Sequence, residues 1–340
     1  MERQKVYCEI DFYKQFVNAY PKEPTPGEES IKKMKYWIDF NSFLFKSDIY
    51  FNINSSQYEA LAADEIYFKT LWKKSANGEC GVEFIVSEFP IIKDFDENIK
   101  DNKDFLEAVY LTCESIELCK EIENFYGIKV ICIANFFDNE NLFVDHAEPI
   151  ELGDKSHTDW RFLGTFKHHC NTLAIVDNYI LKDKSVIIEN LIPILDYLLP
   201  QKLKIPFQIS IFAVKELKHG PNLNFKSFHE FISDEIKRIR PELNFNLGIF
   251  QLRNEFHDRN LITNYIFIDS GGGFDLFKKK KAIHQTKVAG FYPSFVPNMK
   301  QGGIQLYFQV RKSLKKIHHN ACQTEFLTTY WGDKENRLFE

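Results

Sequence analysis

NTLAIVDNYI, residues 171–180, is a short apolar run that stops in an acid, an amide and a tyrosine. A run of this length, closed by polar residues, reads as a strand buried on both faces. SVIIENLIPILDYLL (185–199) follows it with the spacing of an amphipathic helix. PFQISIFAV (206–214) is the next strand, and SFHEFISDEIKRI (227–239) is a helix halted by Pro241. ELNFNLGIFQL (242–252) alternates, with Leu243, Phe245, Leu247 and Ile249 on one face, as a half-buried strand does. Strand–helix–strand–helix–strand implies an α/β sheet with parallel pairs and its functional edge at the strand C-termini. Near the end of the chain, GIQLYFQVRKSL (303–314) reads as one further strand, followed by a basic, aromatic tail.

The preceding residues form a separate α/β domain. KVYCEIDF (5–12) reads as a strand, and 27–45 and 55–74 carry helical patterns. GVEFIVSEF (81–89) is a strand, 103–124 is helical, and GIKVICIANFF (127–137) is a buried strand. The polar stretch 138–159 is the linker, which sets an acidic domain at 1–145 and a second domain at 160–340. The length suits two domains, and 33 phenylalanines supply a large core.

Charge divides the same way. Residues 1–150 hold 16 Lys and Arg against 28 Asp and Glu, and residues 151–340 hold 27 against 20. The acidic front suits a protein partner. The basic back, with Lys278–Lys281 and RKSLKKIHHN (311–320), suits phosphate backbones or anionic lipid. The seven cysteines lack CxxC pairs, and Cys8 and Cys132 sit in apolar runs as small buried hydrophobes. A polar opening and the lack of any run of about 18 apolar residues point to a cytoplasmic protein.

EFHDRNLITNYIFIDSGGGFDLF (255–277) carries the chemistry. On a strand, His257 and Arg259 share a face, so a histidine nucleophile and a phosphate-clamping cation address one ligand. Asn264 and Ser270 would orient it. Gly271, Gly272 and Gly273 would offer backbone N–H groups to the same phosphate, with Lys278 and Lys279 tethering the backbone of a polymer. Asp177, at a strand C-terminus, would support His257 or Arg259, or would simply turn the chain.

This stretch resembles the H-D-R…G-x-G-x-D-x-F pattern of the phospholipase D-like domain at the C-terminus of MIT-domain proteins, the eukaryotic abscission factors. LAIVDNYIL and IIENLIPILDYLL resemble that family's I-x-D-P-Y strand and Q-x-x-N-L helix, so the likeness covers about 165–280. The resemblance implies a homodimeric module that binds phosphoinositides and needs no metal cofactor. The catalytic H-x-K-x4-D of phospholipase D-type enzymes stands here as His257, Arg259 and Asn264, with arginine for lysine and asparagine for aspartate. Two expectations follow: a nuclease or nucleic-acid-binding protein, fitting a bacterial defence context, or a non-catalytic module for anionic lipid or nucleic acid.

In the acidic domain, Glu9 and Asp11 are expected on one face at the end of a strand. DFLEAVYLTCESIELCKEIENFYGIKVICIAN (104–135) resembles the closing segment of PIN-type ribonuclease domains, with Thr112 and Glu114 at a Thr-x-Asp-like turn. That resemblance implies Mg²⁺ or Mn²⁺ on Glu9, Asp11 and Glu114, with Glu59, Asp64, Glu65 and Asp104 as further acids. His168, His169, Cys170, His318, His319 and Cys322 raise a structural metal, although adjacent residues diverge on any regular element.

Overall fold

The computed structural model describes residues 2–20, 28–143, 146–153, 156–166, 168–214, 224–252, 259–291, 303–323 and 330–339. It is an α/β chain that divides into two compact units, Met1–Val144 with Ser294–Ile304, and Asp145–Pro293 with Gln305–Glu340.

The first unit is built on five parallel strands: β1 (Lys5–Cys8), β2 (Asp48–Phe51), β3 (Gly81–Phe84), β4 (Val109–Thr112) and β5 (Lys129–Cys132). Their order is β3-β2-β1-β4-β5, so the chain starts in the middle and winds outward in both directions. Parallel neighbours need crossovers, which the helices supply. These are α1 (Ile10–Asn18), α2 (Glu28–Leu44), α3 (Ser55–Asp64), α4 (Ile66–Ala76), α5 (Phe95–Asp101) and α6 (Ile116–Tyr126). Much of the aromatic content is spent here. Tyr7 of β1 stacks between Tyr50 of β2 and Tyr110 of β4 at centroid distances of 5.0 and 5.5 Å. Under the α1 side, Phe16 stacks on Trp37 at 4.8 Å and packs against Phe40 and Phe136. Cys8 and Cys132 are buried, as their apolar surroundings predict.

One local expectation is corrected. The opening strand ends at Cys8, and helix α1 begins at Ile10, so Glu9 and Asp11 do not share a strand face. DIYF (48–51), which falls between the two helical patterns, is strand β2.

The second unit holds an eight-stranded mixed sheet, ordered β15-β9-β8-β7-β10-β11-β14-β6. The strands are β6 (His146–Ile150), β7 (Thr172–Val176), β8 (Phe207–Val214), β9 (Phe245–Leu252), β10 (Asn260–Thr263), β11 (Phe267–Ser270), β14 (Thr286–Phe291) and β15 (Tyr330–Gly332). A separate two-stranded hairpin pairs β12 (Phe277–Lys278) with β13 (Lys281–Ala282). β7, β8 and β9 are parallel, which the apolar run of residues 173–176 and the largely apolar 207–214 predict for strands covered on both faces. The remaining neighbours are antiparallel. Between β7 and β8 the chain forms α7 (Lys184–Val186), a π-helical turn (Ile187–Leu191) and α8 (Ile192–Leu198). Helix α9 (Phe225–Ile239) joins β8 to β9.

The stretch from Gly303, expected as a strand, is helix α10 (Gly303–Gln323). Its buried residues Tyr307, Val310, Leu314 and Ala321 recur at three, four and seven positions, which is a helical period. The alternation over 304–310 that suggested a strand ends there. Strand β6 lies within the stretch read as a linker and pairs with β14. Its few apolar residues follow from its place at the sheet edge. No described helix is long and apolar enough to cross a membrane.

Candidate functional site

One edge of the second sheet gathers the C-termini of β7 and β11 and the N-termini of β10 and β14, because β10 and β14 run against their neighbours. Asp177 follows β7, Arg259 precedes β10, the glycines follow β11, and Thr286 opens β14. His257, the expected nucleophile, lies outside the described residues.

Asp177 is completely buried, and its carboxylate organises the edge. Oδ1 accepts the Tyr179 and Ile180 N–H groups at 2.7 and 3.0 Å, which turns the chain out of β7. Oδ2 accepts the Phe274 N–H at 2.6 Å and so ties that turn to the glycine loop. Burial, reinforced by the Asp275 carboxylate, pushes the Asp177 carboxyl up to about 6 in spite of those hydrogen bonds. Asp275 is also held above the ordinary carboxylate range by burial, against the pull of His284, Arg259 and Lys182.

Arg259 lies beside both acids. Its Nη1 donates to the Gly271 carbonyl at 3.2 Å, and the guanidinium carbon lies 5.8 Å from the centroid of the Tyr179 ring. Its Nε is buried with no hydrogen-bond partner among the described residues. Gly273, at φ +98°, is the pivot. A β-carbon there would lie 2.9 Å from Asp275 Oδ1, 3.0 Å from Arg259 Cδ and 3.1 Å from Asp177 Oδ2. Only glycine lets the three side chains converge on this point.

Of the three glycines expected to cradle a phosphate, two have their N–H groups bonded within the protein. The Gly272 N–H donates to Thr286 Oγ1 at 2.8 Å, and the Gly273 N–H donates to the Ser270 carbonyl at 3.1 Å. Ser270 is buried, and its hydroxyl donates to the Gly273 carbonyl at 2.6 Å. Two of the three glycine N–H groups and the Ser270 hydroxyl are thus spent within the loop and on Thr286. Asn264 is displaced too. It follows β10 at the opposite edge, about 15 Å along the strand from Arg259, and its Oδ1 accepts the Asn171 N–H at 3.3 Å. There it joins a buried polar cluster in which Asn336 bonds Thr172 and Ser210, and Arg337 bonds the Asn171 and Pro206 carbonyls. Five positions along a straight strand cannot put Arg259 and Asn264 together.

Lys278 and Lys279 stand exposed on the β12–β13 hairpin, whose two turn residues, Lys279 and Lys280, take left-handed φ values of 50° and 60°. Glu189 accepts the Lys279 N–H at 3.0 Å. Within the π-helical turn, buried Asn190 bonds both backbone groups of Phe277 and accepts the Trp160 indole N–H at 3.1 Å.

Asp275, Thr286 and His284 went unmarked in the sequence reading. The acid at the fifth position of G-x-G-x-D-x-F was the available signal for Asp275. Nothing local marks Thr286 or His284, which come from another strand and its approach.

In the first unit Glu9 stands between β1 and β4, where the winding direction reverses. It accepts the Thr112 hydroxyl at 2.6 Å and the Cys113 N–H at 2.8 Å. Asp11, on the exposed side of α1, pairs with Lys14 at 3.2 Å. Among the described residues no group of three or more His, Cys, Asp or Glu side chains could hold a metal. Glu9, Asp11 and Glu114 all act on the Cys113 thiol, which burial and these carboxylates push up to about 11, but neither they nor Glu59, Asp64, Glu65 and Asp104 form such a group. His318 faces the Lys334 carbonyl at 2.6 Å, with Cys322 Sγ 3.8 Å from its Nε2, and Cys170 is buried. Neither His–Cys group forms a metal set with His168, His169 or His319.

No family model matches the chain, and no curated protein matches it. Among solved structures it is similar to the phosphatidylserine synthase of Haemophilus influenzae Rd KW20, at 12% identity and a TM-score of 0.30. The match covers 57% of this chain and 41% of that one, so this chain spans under half of its length. A likeness of that size carries no argument about chemistry, which rests on the geometry above.

Proposed function

We propose that the second unit binds phosphodiesters at the edge formed by Arg259, Tyr179 and the glycine turn, with the lysine hairpin holding further phosphates of a nucleic acid. The observation that carries this reading is Arg259. It is a permanently charged group with a buried, unspent Nε–H and one bond to a backbone carbonyl, and it makes no close ion pair among the described residues. A cation with donors to spare at a sheet edge is suited to an anion with several acceptor oxygens. The exposed Lys278–Lys281 hairpin adds the charge that a polyanion requires.

The test is binding of fluorescent single- and double-stranded oligonucleotides to the full chain, at 50 and 200 mM salt, with cleavage followed in the same samples with and without EDTA. Wild type is expected to bind, more weakly at the higher salt, and Arg259→Ala to lose at least tenfold in affinity. Cleavage that persists in EDTA would extend the reading to hydrolysis. Binding that ignores Arg259→Ala, or capture only by anionic liposomes, would sink the nucleic-acid reading.

A further inference from the structure

We infer that Asp177 and Asp275 set the charge of the ligand at Arg259, so that the site takes a phosphodiester monoanion together with one proton and rejects phosphomonoester dianions. The inference rests on the phosphate reading of this edge and adds the substrate class.

Its basis is the convergence at Gly273. Oxygens of both carboxylates and the Arg259 side chain all lie within 3.1 Å of one point, so the acids face each other across at most about 6 Å. Two ionised carboxylates at that separation repel, and burial makes holding both charges more costly. The groups facing them among the described residues are Arg259 before β10, Tyr179 and Lys182 after β7, and His284 before β14. Of these, Arg259 alone acts on both acids.

One guanidinium cannot neutralise two carboxylates and a ligand. Where the three side chains meet, two ionised acids outnumber Arg259, which opposes an anion at that point, while Lys182 and His284 act on Asp275 alone. Uptake of one proton by the pair evens the charges among these three groups. The Arg259 Nε–H is then free to donate to one non-bridging oxygen, and the protonated carboxyl to another. A monoanion with two such oxygens is satisfied. A dianion brings a further negative charge against the remaining carboxylate. The upward shift of both carboxyls, with Asp177 at about 6, agrees with a pair that takes up a proton when an anion arrives. The binding step makes no covalent bond, and the proton comes from solvent.

The experiment is calorimetric titration of the full chain with diphenyl phosphate and phenyl phosphate at pH 7.5, in two buffers of different ionisation enthalpy. Wild type should prefer the diester at least tenfold and take up close to one proton on binding it. Asp275→Asn, which keeps the side-chain shape and removes one charge, should cut that preference at least fivefold and abolish the uptake. An unchanged preference in Asp275→Asn, or no proton uptake by wild type, overturns the inference. The uptake measurement needs no variant and stands even if Asp275→Asn fails to fold. If neither ester binds wild type, or Arg259→Ala binds both as well as wild type does, the phosphate reading itself falls. Loss of both esters in Arg259→Ala beside a neutral Asp275→Asn defeats only the present inference.

Discussion

Asn190 holds Phe277 by both of its backbone groups: Oδ1 accepts the Phe277 N–H at 2.8 Å, and Nδ2 donates to the Phe277 carbonyl at 2.9 Å. The amide acts as one residue of a missing strand, fixing the root of the lysine hairpin to the helical segment between β7 and β8. Asn190→Ala should cost about 3–5 kcal/mol, since it strands two buried backbone groups and the Trp160 indole N–H together. Chemical denaturation would read this, and near-neutral stability in Asn190→Ala would show that the amide does not anchor the hairpin.

The hairpin carries a conflict between shape and charge. Lys279 and Lys280 occupy left-handed positions that glycine and asparagine take far more readily. Replacing them with Asn-Gly should stabilise the unit by about 1–2 kcal/mol. The same change should weaken polyanion binding and lower the slope of log affinity against log salt by about 2. Melting and salt titration together decide this; a variant both more stable and equally tight would remove the lysines from the interface.

Asp177 makes stability depend on pH in a definite direction. Its folded value, about 6, lies above the ordinary 3.8, so the folded state keeps the proton longer than the unfolded one. The resulting stabilisation is complete below about pH 4 and is lost as pH rises to 6, for a total of at most about 3 kcal/mol. The advantage of wild type over Asp177→Asn should therefore shrink between pH 4.5 and 7.5. Hydrogen exchange of the β7 and β10 amides would follow it; an advantage that grows with pH contradicts the assignment.

Gly273→Ala meets three side chains at about 3 Å and a positive φ. It should lose about 2 kcal/mol or more in stability and reduce Arg259-dependent binding at least tenfold. Denaturation beside anion titration checks both; an alanine variant that binds normally would mean that the convergence at this point is not needed.

In the first unit, Glu9→Ala removes the acceptor for the Thr112 hydroxyl and the Cys113 N–H and should cost about 1–3 kcal/mol. Asp11→Ala, on the exposed side of α1, should stay within about 0.5 kcal/mol of wild type. Equal effects would restore the pairing of these acids that their sequence spacing suggests.

Part of the second sheet was legible because burial on both faces leaves a local mark. LAIV (173–176) is apolar throughout, and FQISIFAV (207–214) is broken only by Gln208 and Ser210, as suits central parallel strands. The edge strand β6 leaves no such mark. Helix α10 was misread because its first turns also fit a two-residue alternation, and only Leu314 and Ala321 break the tie. At the site, Arg259, Asp177 and the glycines could be marked singly, but what they bond to could not.

The sequence by itself determined the α/β class, the parallel core of the second unit's sheet, and the acidic and basic halves. These follow from composition and period, which act over a few residues. The tertiary structure alone decided which residues meet. It set Asp275 beside Asp177 and Arg259, closed the glycine turn on Thr286 and Ser270, and sent Asn264 to the far edge. Strand direction and register bring residues about a hundred positions apart to one point, and no spacing along the chain encodes that.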